Sequence, residues 1–351
     1  MPEIESLLEE AERLRRLSQY PSALRLFKRA LRASKTRGER LDCLLRVADT
    51  SRMTGDFDEA KRCYKRAISI ANGLKDLRLR ADSEVGLALS LRAQGRWTDA
   101  LRYIDRSLEF YKRTRDKEGT AFSLWAKAGA LRVGGEIHKA LKTYKKALFI
   151  FTRLGEETAI GYCLTGLGGT SRVAGQIERS LNYYQSANSI FRALRDTFGL
   201  AYSYCGIGNA LRMMGSHREA LRYFKRASRL YTKIGDIVSH SYTIWSMGMS
   251  LMALKKYKEA EEMFKKSITF FKKTKDPRGL AYARIGIAKI LIINGKTPQA
   301  KRLIKDVISL TKEYRLRLEQ CHAEVVLSSI EGLADKRCYD RLGIKALPDI
   351  P

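Results

Sequence analysis

One spacing governs what this chain can fold into. A small residue recurs at Ala23, Ala60, Ala100, Ala140, Ser180, Ala220, Ala260 and Ala300, with a first interval of 37 residues and 40 thereafter. Four residues after each stands a bulky side chain: Phe27, Tyr64, Ile104, Tyr144, Tyr184, Phe224, Phe264, Ile304. Three further on comes a compact one: Ala30, Ala67, Ser107, Ala147, Ala187, Ala227, Ser267, Val307. Offsets of three and four share one helix face, and small against large lets paired helices interlock closely. Five residues before the anchor stand Gly55, Gly95, Gly135, Gly175, Gly215 and Gly295, with Lys255 the exception. There a first helix must stop and reverse, which favours a residue tolerant of positive φ. Twelve before the anchor lie Ala48, Ala88, Ala128, Gly168, Gly208, Gly248 and Ala288. Each unit therefore reads as a helix, a tight turn and an antiparallel second helix. Such a pair cannot bury its apolar face alone, and stacking on neighbours completes the core. Pro21, Pro277 and Pro298 fall at expected helix starts, where a missing N–H costs nothing.

These columns resemble the tetratricopeptide repeat, with Leu167-Gly168 and Ile207-Gly208 in first helices, the turn glycine, and A-x-x-x-[FY]-x-x-A in second helices. The family's usual period is 34 residues; six more here imply longer helices, as in the branch that contains polarity-adaptor scaffolds. The resemblance implies an all-α right-handed solenoid of eight repeats over residues 1–314. Helices at 315–341 would cap it, and 342–351 reads as a flexible tail. It also implies that first helices line a concave surface and second helices form the convex outside.

Composition closes off other classes. Lys and Arg number 67 against 38 Asp and Glu, a formal charge of +29, yet 44% of residues are apolar, too many for a disordered basic tail. No stretch of about 18 residues stays apolar, and the acidic start is no signal peptide; a soluble, cytoplasmic protein is expected. Cys43, Cys63, Cys163, Cys205, Cys321 and Cys338 form no C-x-x-C and read as buried thiols in a reducing compartment. Four scattered histidines show no ligand spacing, so neither metal nor cofactor is expected.

The charge is unevenly placed. Residues 238–253 carry no charged side chain, whereas Arg218, Arg222, Lys225, Arg226, Arg229 and Lys233 crowd one second helix. Three first-helix columns share the prospective inner face. The first reads Asp42, Asp82, Phe122, Tyr162, Tyr202, Tyr242, Tyr282, with Trp125 and Trp245 three residues on. The second contains Gly129, Gly169, Asn209 and Lys289. The third is a ladder of Arg52, Arg92, Arg132, Arg172 and Arg212. Arginine offers a planar, permanently charged fork for carboxylate or phosphate. The same column lies in the last helical turn, where a cation also complements the helix dipole, typically by about 0.3–1 kcal/mol. Aromatics at this spacing either anchor a ligand or pack against the next repeat. Gly129 and Gly169, costly inside helices, would open space for a ligand.

The leading expectation is a non-catalytic interaction scaffold. Its groove would hold an acidic, partly apolar segment of a partner protein, extended or helical. Arg52, Arg92, Arg132, Arg172 and Arg212 would pair with acids, and Phe122, Trp125, Tyr162, Tyr202, Tyr242 and Trp245 would anchor apolar groups. The chaperone-tail carboxylate clamp known in the family is not evident: it needs Lys and Asn at particular groove positions, and only Asn209 and Lys289 occur in the relevant column. Basic pairs such as Lys225-Arg226 and Lys265-Lys266 on second helices suggest an alternative, binding of nucleic acid or an anionic surface by the convex face. Self-assembly, with the tail or an end of the solenoid docking on another copy, is the third. Beyond Asp42, Asp49 and Asp82 there are no paired groove carboxylates, and no nucleophile motif or phosphate-binding loop points to an enzyme.

Overall fold

The structure is a computed structural model that describes residues 2–333, 335–344 and 350. Helices pair along the whole repeat: α1 (Pro2–Arg16) with α2 (Tyr20–Ala33), α3 (Arg37–Met53) with α4 (Phe57–Gly73), α5 (Leu77–Ala93) with α6 (Trp97–Arg113), and α7 (Lys117–Val133) with α8 (Ile137–Leu154). The second half continues with α9 (Glu157–Val173) and α10 (Ile177–Ala193), α11 (Thr197–Met213) and α12 (His217–Ile234), α13 (Ile237–Ala253) and α14 (Tyr257–Thr274), and α15 (Pro277–Ile293) and α16 (Thr297–Glu313). Two further helices follow, α17 (Arg317–Ile330) and the short α18 (Arg337–Arg341). This is an all-α solenoid of helix–turn–helix units with a terminal helix.

Local chemistry sets these boundaries. The reversal inside a unit has φ between +73° and +83° at Gly55, Gly95, Gly135, Gly175, Gly215 and Gly295, and Lys255 and Ser18 adopt the same left-handed region. First helices open on an acidic N-cap: Asp76, Asp116, Asp196, Asp236 and Asp276 each accept a hydrogen bond from a first-turn backbone N–H. Second helices bury one stripe, such as Ala220, Phe224, Ala227, Tyr231 and Ile234 in α12. First helices are enclosed on more sides, and glycines in them receive second-helix rings. A Cβ at Gly168 would lie 2.9 Å from the Tyr184 ring, one at Gly208 2.7 Å from Phe224, and one at Gly286 2.7 Å from Phe264.

The solenoid closes on itself. Lys275 Nζ pairs with Asp58 at 2.6 Å, and Trp97 Nε1 donates to the Arg315 carbonyl at 3.3 Å. Arg317 Nε donates to the Gly134 carbonyl at 3.0 Å. Tyr20 shares an apolar cluster with Tyr231 and Ile234. With a 40-residue repeat, these partners lie roughly five units apart, so a second superhelical turn sits directly on the first. Gly55 meets Ile237 and Val238, and Gly95 meets Pro277. The C-terminal ends of α3, α5 and α7 therefore abut the N-terminal ends of α13, α15 and α17, and the first helices run along a tube.

Two features of the C-terminal region depart from expectation. Cys321 and Cys338 are joined by a disulfide that ties α17 to α18, so they are not thiols; Cys43, Cys63, Cys163 and Cys205 are. Of the expected loose tail, 345–349 and 351 lie outside the described residues, but Ile344 and Ile350 are buried. Among the described residues no helix is long and apolar enough to cross a membrane.

Candidate functional site: an arginine-lined chamber

First helices of both superhelical turns surround a chamber of about 620 Å³, within the ~300–1,000 Å³ common for ligand pockets. It is a room inside a tube rather than an open trough. Of the expected residues, Arg52, Arg92, Arg132, Arg172, Phe122, Trp125, Tyr162, Tyr202, Tyr242, Trp245, Asn209 and Gly169 line it. Arg212 and Gly129 are not among its lining residues.

Four rungs of the ladder come together here because they close the last turns of successive first helices. Among the described residues, neither Arg132 nor Arg172 has a carboxylate within ion-pair distance. Nε of Arg132, and Nε and Nη1 of Arg172, are buried without a protein hydrogen-bond partner. Arg92 lies over the Trp125 ring, 5.8 Å from its centroid. Burial pushes its guanidinium down to about 10, and Arg132 and Arg52 push the same way. Arg52 differs, with Asp49 3.8 Å from its guanidinium. These four guanidinium groups gather positive charge on the first-turn wall of the chamber.

The aromatic column divides. Tyr162 donates from its hydroxyl to Asp196 at 2.8 Å and Tyr242 to Asp276 at 2.6 Å. Arg278 Nε donates to the Tyr242 hydroxyl at 3.1 Å. These hydroxyls tie each unit to the N-cap of the next and are occupied. Tyr202 makes no such bond and stacks on Phe198 at 6.3 Å. Phe122 stacks on Trp125 at 5.6 Å and is 42% exposed, so its ring face is available. Trp245 is nearly covered, between the Arg212 guanidinium at 5.5 Å and Tyr282 at 5.1 Å. Asn209 is committed as well: its Oδ1 accepts from Ser246 at 2.9 Å and its Nδ2 donates to the Cys205 carbonyl at 3.1 Å.

The reading of Gly129 needs a correction. A Cβ at Gly129 would land on Nη1 of Arg92, and one at Gly169 would stand 3.0 Å from the Tyr184 hydroxyl and 3.6 Å from Nη1 of Arg132. The room opened at Gly129 is filled by the arginine of the preceding unit, which that glycine lets lie along the wall.

Sequence columns missed the second-turn contribution. Asp236, Asp276 and Glu319 line the chamber and are buried, which raises all three carboxyls above their ordinary range. Glu319 Oε1 accepts from Tyr282 at 2.7 Å, while Oε2 has no partner. Tyr144, Tyr184 and Tyr231 also reach the chamber, from second helices. A signal was present, since the acidic N-caps recur every 40 residues at 76, 116, 156, 196, 236 and 276. Among the described residues, no group of His, Cys, Asp and Glu is arranged to hold a metal ion.

Stacked helix pairs wound around an interior chamber define an α-solenoid of repeat type. The tetratricopeptide repeat pattern matches residues 79–153 and 158–233 in one form and 41–73 and 243–273 in another. The chain belongs to the tetratricopeptide repeat family. No curated protein sequence matches it. Solved structures with the same fold include a Rap protein complexed with competence and sporulation factor: 16% identity, TM-score 0.59, 95% of this chain and 98% of that one. Another is the Rap conjugation gene regulator of plasmid pLS20 in complex with the Phr* peptide, at 13% identity and TM-score 0.67, covering 90% and 96%. The apo quorum sensor NprR of B. thuringiensis aligns at 17% identity and TM-score 0.52, covering 97% of each chain.

Proposed function

We propose that this protein is a non-catalytic scaffold whose chamber holds an acidic, partly apolar segment of a partner protein or peptide. The observation that carries this reading is the set of buried guanidinium nitrogens on Arg132 and Arg172 without a protein partner. An unpaired buried charge is costly, and an incoming carboxylate removes that cost while forming short, charge-assisted bonds. Arg52 and Arg92 extend the anion-binding wall, and Phe122, Trp125 and Tyr202 offer ring faces to apolar side chains. Arginine and aromatic columns stand ten residues apart on each first helix, about 15 Å along its axis. An extended segment of roughly five residues covers that distance. Rap-type solenoids of the same fold described in complex with a peptide or a signalling factor support the reading.

The test is the charge reversal Arg132→Glu with Arg172→Glu. Partner pull-down is expected to be abolished while helicity by circular dichroism stays that of the parent. Unchanged pull-down removes the ladder from the account. Binding that ignores the double variant but collapses with added salt assigns recognition to the convex basic face instead.

A further inference from the structure

One carboxylate in the chamber wall has incomplete bonding. Asp196 and Asp276 each use both oxygens: Oδ1 accepts from the backbone N–H of Gly199 or Gly279, and Oδ2 from the tyrosine of the preceding unit. At the equivalent N-cap of α17 stands Leu316, which makes no side-chain cap. The acceptor for Tyr282 is instead Glu319, inside the first turn of that helix. Its Oε1 takes the hydroxyl, and Oε2 has no partner although the residue is only 1% exposed. Arg278 acts on Glu319 through space, but its Nε is given to the Tyr242 hydroxyl. Among the described residues, Glu319 has no cation within ion-pair distance.

The open acid lies close to the open end of the ladder. Val173 and Leu318 share one apolar cluster, so the last turn of α9 meets the first turn of α17. Arg172 precedes the one and Glu319 follows the other, and both line the chamber. Two groups of opposite sign therefore border one space, each with an unused hydrogen-bonding position, without pairing to each other. A purely acidic ligand would satisfy Arg172 but add negative charge beside Asp236, Asp276 and Glu319. We propose that Glu319 is a second recognition point of the chamber, taking a cationic nitrogen of the same ligand whose carboxylate meets Arg132 and Arg172. That nitrogen is a free N-terminal ammonium or a Lys or Arg side chain. This rests on the reading of the chamber as a peptide site, and narrows the ligand to a segment of mixed charge. Burial is what makes the Glu319 carboxylate costly, and a cation at Oε2 offsets that cost through a charge-assisted bond.

The probes are two pools of soluble random hexapeptides, one with free and one with acetylated N-termini. Peptides that remain with the protein through size exclusion are identified by mass spectrometry. Three full chains are compared: the parent, Glu319→Gln, and Arg132→Glu with Arg172→Glu. Glutamine keeps the side-chain volume and an oxygen for Tyr282; helicity and melting temperature are checked, and Glu319→Met is the substitute should it perturb folding. The parent is expected to retain peptides that carry a cationic nitrogen as well as a carboxylate. Lys or Arg enriched in both pools assigns the nitrogen to a side chain, whereas retention confined to the free pool assigns it to the N-terminus. The best-retained peptide, resynthesised, is expected to bind Glu319→Gln at least about tenfold more weakly than the parent. Its analogue with that nitrogen made neutral binds both chains alike. Retained peptides without such a preference, or equal affinity for parent and Glu319→Gln, overturn the inference and leave the chamber reading intact. No retention by the parent, or retention unaffected by the double arginine reversal, removes that reading and the inference with it.

Discussion

Gly206 and Gly129 illustrate how single absent side chains shape this interior. A Cβ at Gly206 would fall inside the buried ring of Tyr184, and one at Gly129 would fall on the Arg92 guanidinium. The two neighbours differ in what they can yield. A long arginine tip can swing away, whereas the Tyr184 ring is wedged between Gly168 and Gly206 and can move only as a rigid plate. Gly206→Ala is accordingly expected to lower stability by about 1–3 kcal/mol through overpacking, seen as a reduced denaturation midpoint at unchanged slope. A neutral or raised midpoint would show that Tyr184 has room the packing does not suggest. Sequence reading assigned the space at Gly129 to a ligand because the arginine that fills it lies 37 residues earlier, in another unit. Residue spacing within one helix carries no record of that contact.

At the scale of the helix, the repeat was legible because small, bulky and turn positions return at a fixed interval, and each has one physical use. Helix pairs, reversal glycines and the buried stripe of second helices all follow from it. The acidic N-cap column returns just as regularly, but its second use was hidden. Asp196 and Asp276 cap their own helices and also accept hydroxyl bonds from Tyr162 and Tyr242 of the preceding unit. Burial raises the carboxyls of Asp236, Asp276 and Glu319 relative to their unfolded values. The folded state then binds more protons than the unfolded one, so stability contributed by these groups is greatest at low pH. It falls as pH rises from the ordinary carboxylate range through their raised folded values. Melting temperature followed between pH 4 and 8 is expected to decline less steeply in Asp276→Asn than in the parent. Parallel curves would mean that this carboxyl does not titrate differently on folding.

For the whole molecule the decisive fact is closure. Contacts between units roughly five apart, such as Lys275 with Asp58 and Arg317 with Gly134, stack a second turn on the first. They turn the expected open trough into a tube with a chamber. Nothing in a 40-residue pattern announces this, because it depends on the small rotation added by each unit. The same closure makes the ladder of the first turn and the buried carboxylates of the second line one chamber. It also separates the two candidate binding faces completely: Phe122 looks into the chamber, and Arg226 stands exposed on a second helix.

That separation makes one measurement decisive. A photo-crosslinking amino acid is placed at position 122 in one chain and at position 226 in another, and each is irradiated in extract of the native cell. Mass spectrometry of the adducts is expected to find peptide segments rich in Asp, Glu and apolar residues attached at position 122 and absent from 226. Adducts confined to position 226, whether to protein or to nucleic acid, would contradict the chamber as the binding site.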